Sequence, residues 1–310
     1  MLRPTLAVSA CLLGQPVRFN GGHRHSRLCD WLAPYVDWVP ICPEVGAGLG
    51  TPRPTLRLIG DTEAPRARDR HADHTAALQA QADTVRQAHP RLCGVLLQQG
   101  SPSCGLERVR LYNEQGVVQG RTSGVFSAAL RTNWPELPLE EEGRLHDPVL
   151  RENFLVRVFA VAAWHQLLDD GLSAAALQGF HARYKYQLLA NDPQRYRELG
   201  RLLADLRQQP LAELAARYFT VFMTALSRRA ERGGHCNVLQ HLSGHLKGEL
   251  DAEDRAELVA LIDQYRTGIV PLAVPLALLK HHFRRHPDPY VAGQAYLDPH
   301  PQALGLRSSI

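Results

Sequence analysis

Three short apolar runs in the first third of the chain each lead to a cysteine. Cys11 follows Leu6-Ala7-Val8 with Ser9 and Ala10 between, Cys42 closes Trp38-Val39-Pro40-Ile41, and Cys104 follows Val95-Leu96-Leu97 across a Gly-Ser-Pro-Ser turn. Runs of this length bounded by Gly and Pro read as buried strands. Asp73 to His89, between the second and third runs, reads as a helix with Asp73 as N-cap and Pro90 as its stop. That is the crossover that parallel strands require. An open α/β sheet turns the C-terminal ends of its strands toward one crevice, where ligands bind. The pattern therefore predicts three thiols, distant in sequence, that converge. Three thiolates without an obvious fourth describe a metal centre with one coordination position open, which a catalytic centre needs and a closed structural site lacks.

The pattern changes along the chain. Up to about Gly143, short β-rich runs alternate with Gly/Pro turns, and Gly124 to Leu130 reads as a further helix. The acidic stretch Leu137-Pro138-Leu139-Glu140-Glu141-Glu142-Gly143 reads as a linker. Beyond it, apolar residues recur at helical spacing over Glu152 to Leu168, with Gly171 as a C-cap, and in the segments opening at Asp192-Pro193, Leu211, Asp251 and Pro271. The predicted fold is a small, mostly parallel, Rossmann-like α/β domain over residues 1–143, followed by an all-α domain over 144–310.

With 45% apolar residues in 310, both halves can bury a core. Net charge is +4, from 35 basic and 31 acidic residues with no long basic run, so nucleic acid is neither required nor excluded. Six cysteines are too few for a disulfide scaffold in a chain this long. Met1-Leu2-Arg3-Pro4 runs straight into a strand and does not read as a signal peptide, and no stretch is long and apolar enough to span a membrane. The expectation is a cytoplasmic protein with reduced thiols and no membrane partner.

The cysteine loops carry further chemistry. In Cys42-Pro43-Glu44, proline stiffens the backbone beside the thiol and Glu44 sets a carboxylate next to the metal, placed to move a proton. In Ser101-Pro102-Ser103-Cys104-Gly105, two hydroxyls flank the thiol in a rigid turn and can donate to a cluster sulfur or a substrate. Gly14 and Gly21-Gly22 permit a tight loop after Cys11. Taken alone, each piece reads as an ordinary Gly/Pro/Ser turn with a small buried thiol, a solvated Glu44 and a surface Arg53; together they read as one site. Cys29 and Cys93 read as structural. Cys236 lies near His235, His241 and His245, a group better read as a polar helical face than as a zinc site, because no second anchoring motif accompanies it. The run Lys280 to His286 reads as a solvated basic helix end. Soft thiolates suit zinc, copper(I) or iron–sulfur. Zinc would need a fourth ligand such as His23 or His25, and paired C-x-x-C knuckles are missing. A [4Fe–4S] cluster with three cysteine ligands and one iron not ligated by protein fits best.

These loops resemble the 2-thiouracil desulfidase family. The resemblance is carried by Ser9-Ala10-Cys11-Leu12-Leu13-Gly14, Val17-Arg18-Phe19-Asn20-Gly21, Cys42-Pro43-Glu44, Gly48-Leu49 with Pro52-Arg53, and Ser101-Pro102-Ser103-Cys104-Gly105, over about the first 140 residues. It implies that Cys11, Cys42 and Cys104 hold a [4Fe–4S] cluster, that Glu44 is catalytic, and that a serine assists, Ser101 before Ser103. The helical half resembles the YbgA-type domain of unknown function through Leu150 to Phe154, Phe180 to Lys185, Asn237 to His241 and Tyr265 to Leu272, and this implies no activity. Two departures stand out. Gln98-Gln99-Gly100 occupies positions where fused members tend to carry lysines, and Phe19-Asn20 replaces the Tyr-Asp of single-domain members.

The expected activity is removal of sulfur from a thiocarbonyl base such as 2-thiouracil, without net redox change. The substrate is a small thiolated pyrimidine, with thiolated RNA as a further partner. The alternative is a cluster- or sulfur-binding module whose helical half binds thiolated RNA or a protein.

Overall fold

Strands β1 (Thr5–Ser9), β2 (Asp37–Ile41), β3 (Arg57–Gly60), β4 (Pro65–Arg68), β5 (Gly94–Leu97), β6 (Val109–Tyr112), β7 (Val118–Thr122) and β8 (Leu139–Glu141) all precede residue 147. They come from a computed structural model that describes residues 2–204, 206 and 209–310. The helices among them are α1 (Arg27–Leu32), α2 (Pro43–Gly46), α3 (Thr75–Ala88) and α4 (Val125–Asn133). From residue 147 onward come α5 (Pro148–Gly171), α6 (Ala174–Asn191), α7 (Pro193–Ala204), α8 (Leu211–Ser227), α9 (Arg232–His245), α10 (Ala252–Thr267), α11 (Ala273–Arg285) and the short α12 (Pro289–Ala292). The chain divides into two compact units, Met1–His146 and Asp147–Ile310.

The first unit carries two sheets. One has the order β2-β1-β5-β8, and every neighbouring pair is parallel. Leu6, Ala7, Val8, Val95, Leu96 and Leu97 are wholly buried, as both faces of a covered parallel sheet require. The crossover helix begins at Thr75, where Asp73 Oδ1 accepts the Thr75 N–H at 2.9 Å, so Asp73 caps from one residue further out than a simple N-cap. The second sheet, β4-β3-β6-β7, is mixed: β3 and β6 are parallel and the outer pairs antiparallel. Its inner face packs Leu58, Ala67, Val109 and Leu111 with Leu78 and Val125.

The acidic stretch is not a linker. Leu139–Glu141 forms β8 along β5, Leu137 is buried, and Glu141, only 2% exposed, accepts the Leu106 N–H at 2.7 Å. Glu142 accepts from Ser26 Oγ at 2.7 Å, and Leu145 is fully buried. Composition marked these residues as solvated, whereas their carboxylates are spent on backbone and hydroxyl donors inside the unit.

The second unit is helical. Asp192 and Pro193 open α7 as the sequence indicates, with Asp192 Oδ1 accepting from the Gln194 and Arg195 N–H groups. Asp251 likewise caps α10. Packing between α5, α6 and α8 centres on Trp164, Phe180, Tyr184, Tyr218 and Phe222, whose rings lie stacked, tilted or edge-on. Such pairs add about 0.5–1.5 kcal/mol each beyond area burial. No described helix is long and apolar enough to cross a membrane.

Candidate active site

The parallel sheet sets three cysteines at the same end of three adjacent strands. Ser9 is level with Ile41 and Val8 with Leu96, so β2, β1 and β5 finish together. Cys42 is the residue after β2, Cys11 lies in a single 3-10 turn (Ala10–Leu13) after β1, and Cys104 follows the turn after β5. Gly14 ends the 3-10 turn at φ 86°, a left-handed conformation that suits glycine. Gly124 lets α4 approach the third loop: a Cβ there would collide with the Ser103 backbone carbonyl.

The thiols act on one another. Burial pushes Cys11 up to about 11, and the nearby Cys42 adds to the rise while the Arg18 charge opposes it. Burial also raises Cys42, against backbone N–H groups of Val45 and Glu44 that favour its thiolate. Cys104 is raised well above the ordinary thiol value by complete burial, then by Glu44, Cys42 and Cys11, while the Ser9 hydroxyl opposes the shift. Two buried thiols, Cys11 and Cys104, and the half-buried Cys42 are thus all raised, and binding a soft cation would take their protons. Among the described residues no group of three or more His, Cys, Asp or Glu side chains is arranged to hold a metal ion. The fit to an iron–sulfur group therefore rests on the donor set: three thiols of matching environment, with Ser9 and backbone donors beside them to serve the sulfurs.

Glu44 stands in α2 directly after the Cys42 loop. Its Oε2 accepts from Arg53 Nε at 2.8 Å and Nη2 at 2.6 Å, and its Oε1 accepts from Ser103 Oγ at 2.8 Å. The side chains of Glu44 and Arg53 are 13% and 5% exposed, so this is a buried ion pair rather than a solvated Glu and a surface Arg. Breaking such a pair from one side costs about 3–5 kcal/mol. Arg53 Nη1 also donates to Gly50 O and Thr51 Oγ1, and its backbone N–H donates to Phe19 O, which ties the Phe19 loop to the Glu44 loop.

The two serines divide the work. Ser101 Oγ accepts the N–H groups of Ser103 and Cys104 at 3.2 Å each, so it shapes the cysteine loop. Ser103, fully buried, is the one that reaches Glu44. Residues given no role from sequence are Ser9 and Arg18, and Gln98, marked there only as a departure, also lies here. Ser9 Oγ accepts the Gln98 N–H at 2.9 Å besides meeting Cys104. Gln98 is 6% exposed, and its Oε1 has no hydrogen-bond partner among the described residues. Ser9 and Arg18 lie inside quoted motifs, so their neighbourhood was marked while their roles were not.

The first unit matches the family described as 2-thiouracil desulfurase over residues 6–142, and residues 185–301 match the family described as protein of unknown function (DUF1722). The chain belongs to both families. The uncharacterised protein YbgA of Escherichia coli (strain K12) is 38% identical over 159 residues, covering 51% of this chain and 94% of that protein. The uncharacterised protein YbbK of Bacillus subtilis (strain 168) is 31% identical over 138 residues, covering 41% of this chain and 89% of that protein. Among solved structures, the [4Fe-4S]-dependent thiouracil desulfidase TudS is 32% identical and covers 47% of this chain and 95% of that chain, with a TM-score of 0.38.

The remaining cysteines and histidines lie elsewhere. Cys29 is buried on α1, raised to about 12 by burial and by Glu142, and close enough to Cys11 to feel it. Cys93 precedes β5. In the DUF1722 unit, His235 Nδ1 meets Tyr296 OH at 2.8 Å, and His245 bridges Tyr186 OH at 2.9 Å and Asp288 Oδ2 at 2.8 Å. His241 packs its ring near Tyr186. These histidines, together with Cys236, answer to separate partners. In the Lys280–His286 run, Lys280 pairs with Asp298 and His286 with Glu249, but His282 is buried, so this helix end is not wholly solvated.

Proposed function

We propose that the first unit exchanges the sulfur of a thiocarbonyl pyrimidine, such as 2-thiouracil, for oxygen. One water enters, a C–S bond breaks, a C=O bond forms, and hydrogen sulfide leaves, so carbon is neither oxidised nor reduced. The observation that carries this reading is the Glu44–Ser103 hydrogen bond, which joins the Cys42 and Cys104 loops beyond the C-terminal ends of adjacent parallel strands. The family match over residues 6–142 supports the substrate class.

Cys11, Cys42 and Cys104 would hold a [4Fe–4S] cluster through one thiolate each. The chemistry such a group supplies is a soft Lewis-acidic iron, which suits a thiocarbonyl sulfur. The rest falls to the chain. Glu44 takes a proton from the attacking water through a carboxylate oxygen. Arg53 holds the carboxylate in one orientation through two nitrogens and offsets the cost of burying its charge. Ser103 fixes Oε1, and Ser101 holds the loop that carries both Ser103 and Cys104. The unpartnered Oε1 of Gln98 offers an acceptor to a pyrimidine ring N–H, where fused relatives tend to present a cation.

The test is anaerobic reconstitution with iron and sulfide, followed by incubation with 2-thiouracil. Stoichiometric uracil and sulfide support the reading. A chain that takes up iron but releases no sulfide from free bases, nucleosides or thiolated RNA is a binding module instead.

A further inference from the structure

The second sheet carries a row of arginines that its own fold does not explain. Arg57 is directly opposite Arg68 across β3 and β4, and Arg110 is directly opposite Arg121 across β6 and β7. The β3–β6 register sets Leu58 beside Leu111; carried one residue back, it sets Arg57 beside Arg110. The row Arg68, Arg57, Arg110, Arg121 thus crosses all four strands on one line, spanning about 14 Å at ordinary strand spacing. Leu58, Ala67 and Leu111 fill the buried face, so the alternation of side chains turns the row outward.

Like charges directly opposite in a sheet destabilise it. Carboxylates relieve only one end. Glu114 pairs with Arg66 and lies 3.8 Å from Arg68, and Asp73 is held below the usual carboxylate range with Arg66 and Arg68 among the causes, although burial acts against the shift. Among the described residues Arg57, Arg110 and Arg121 have no carboxylate partner, and Nε of Arg68 has no acceptor. Arg57 instead lies over the Tyr112 ring, 5.2 Å from its centre, and Tyr112 shares the outer face beside Ile59.

At the Arg57–Arg68 end the face opens into a cavity of about 770 Å³, lined by Arg53, Pro54, Arg57, Ile59, Arg68 and Arg70 among others. Asp69 also lines it, but its carboxylate is committed to the His71 and Ala72 N–H groups and to His74. Arg53, the residue that grips Glu44, is among the residues that line it.

We infer that this face binds single-stranded RNA, with the arginine row on consecutive phosphates and the cavity receiving a base. Guanidinium forks suit phosphate oxygens. Cations flanking the half-buried Tyr112 ring on the outer face of a four-stranded sheet suit a single strand, whose bases stack while its backbone tracks the charges. An acidic peptide would satisfy the charges but leave the aromatic ring and the open cavity beside it without purpose.

The full chain is titrated into a labelled, unthiolated single-stranded RNA of roughly 12 nucleotides across a salt series. Because no thiolated base is present, the outcome is independent of the proposed desulfurisation. Combining Arg57→Gln, Arg110→Gln and Arg121→Gln should flatten the log K against log salt slope by about 2, since each phosphate contact on a single strand contributes about 0.7. Without RNA the same triple variant should melt no lower than wild type, because it removes facing like charges. Combining Arg201→Gln, Arg229→Gln and Arg285→Gln, which removes equal charge from the second unit, should leave the slope in place. An unchanged slope in the first variant, an equal loss in the second, or equal displacement of the RNA by polyglutamate at matched charge would overturn the inference. A fall in melting temperature of the first variant would do the same, by making the row structural.

Discussion

Ser103 donates its hydroxyl to Glu44 Oε1 at 2.8 Å, joining residues 59 apart in sequence and fixing the carboxylate between two cysteine loops. With Oε2 held by Arg53, neither oxygen is free to rotate. Glu44→Gln should therefore retain the fold and the iron but lose turnover by about 100-fold or more, the range of general acid–base catalysis. Ser103→Ala should cost less in rate while destabilising the first unit by about 1.5–3 kcal/mol, the worth of a hydrogen bond to a charged group. Ser101→Ala should behave as a loop defect, lowering iron retention before it lowers kcat per iron. Steady-state sulfide release normalised to iron content separates these outcomes, and equal activity in Glu44→Gln and wild type removes Glu44 from the mechanism.

Single Cys→Ser changes at Cys11, Cys42 and Cys104 should each abolish or cripple iron retention after anaerobic reconstitution. The same change at Cys93 or Cys236 should leave it intact. Cys29→Ser is the sharper control, because Cys29 is buried and feels Cys11 yet belongs to α1 rather than to a strand-end loop. Iron per chain and visible absorbance decide the matter: a full iron complement in Cys104→Ser would break the ligand assignment.

The strand-end placement of Cys11 and Cys104 is legible because β1 and β5 have wholly buried apolar centres, so Leu6 to Val8 and Val95 to Leu97 announce themselves and their ends can be counted. The second sheet is not. Its strands β3, β4 and β6 alternate buried and charged residues, as in Arg57-Leu58 or Arg66-Ala67-Arg68, over only four positions each, too short a span for a period-2 pattern to stand out. Glu140 to Glu142 misled for a related reason, since an acidic run is solvated by default and only tertiary donors such as Leu106 N–H and Ser26 Oγ bury it. The Glu44–Arg53 pair is half visible: both residues lie in quoted motifs, but the Gly-rich stretch that separates them, nine positions apart, hides that they meet.

Acid should weaken the second unit in two stages. Burial holds His235 at about 4 and His181 at about 4, below the ordinary histidine value of 6.5. The unfolded chain therefore binds more protons below about pH 6.5, and stability falls as pH drops from there toward 4. Glu152 follows. Burial alone would raise it, but Arg307 Nε at 3.0 Å and His300 Nε2 at 3.8 Å hold it at about 2. That contribution is present above the ordinary value of 4.5 and is lost as pH falls from 4.5 toward 2. Denaturant melts of the second unit between pH 7 and pH 3 should show both stages. Arg307→Ala, which strands a buried carboxylate, should cost about 3–5 kcal/mol at pH 7 and less in acid. A melt insensitive to pH from 7 to 4 would contradict the histidine assignment.

The place at which the chain can be cut follows from Leu145. The acidic residues alone suggest an end near Gly143, but that cut removes a fully buried leucine and Arg144, whose Nε meets Glu140 at 2.9 Å and whose Nη1 meets Glu107 at 2.6 Å. Losing a buried leucine side chain costs about 2–5 kcal/mol, a large share of the stability of a unit this size. A chain ending at His146 keeps β8, the Ser26–Glu142 hydrogen bond and Leu145. It should fold, take up iron, and melt well above a chain ending at Gly143. All the proposed thiol ligands, Glu44, Arg53 and Ser103 lie within it, so if free thiobases are substrates it should also release sulfide from 2-thiouracil. Equal melting temperatures for the two truncations would show that Leu145 contributes nothing to the first unit. A chain ending at His146 that is soluble and iron-loaded but inactive, beside an active full-length protein, would mean that residues after 146 complete the site. His181, Arg183 and His241 are the first to change in that case. His181 is held on Tyr218 by a 3.1 Å contact, and His241 packs beside Tyr186, so neither should be needed if the first unit works alone.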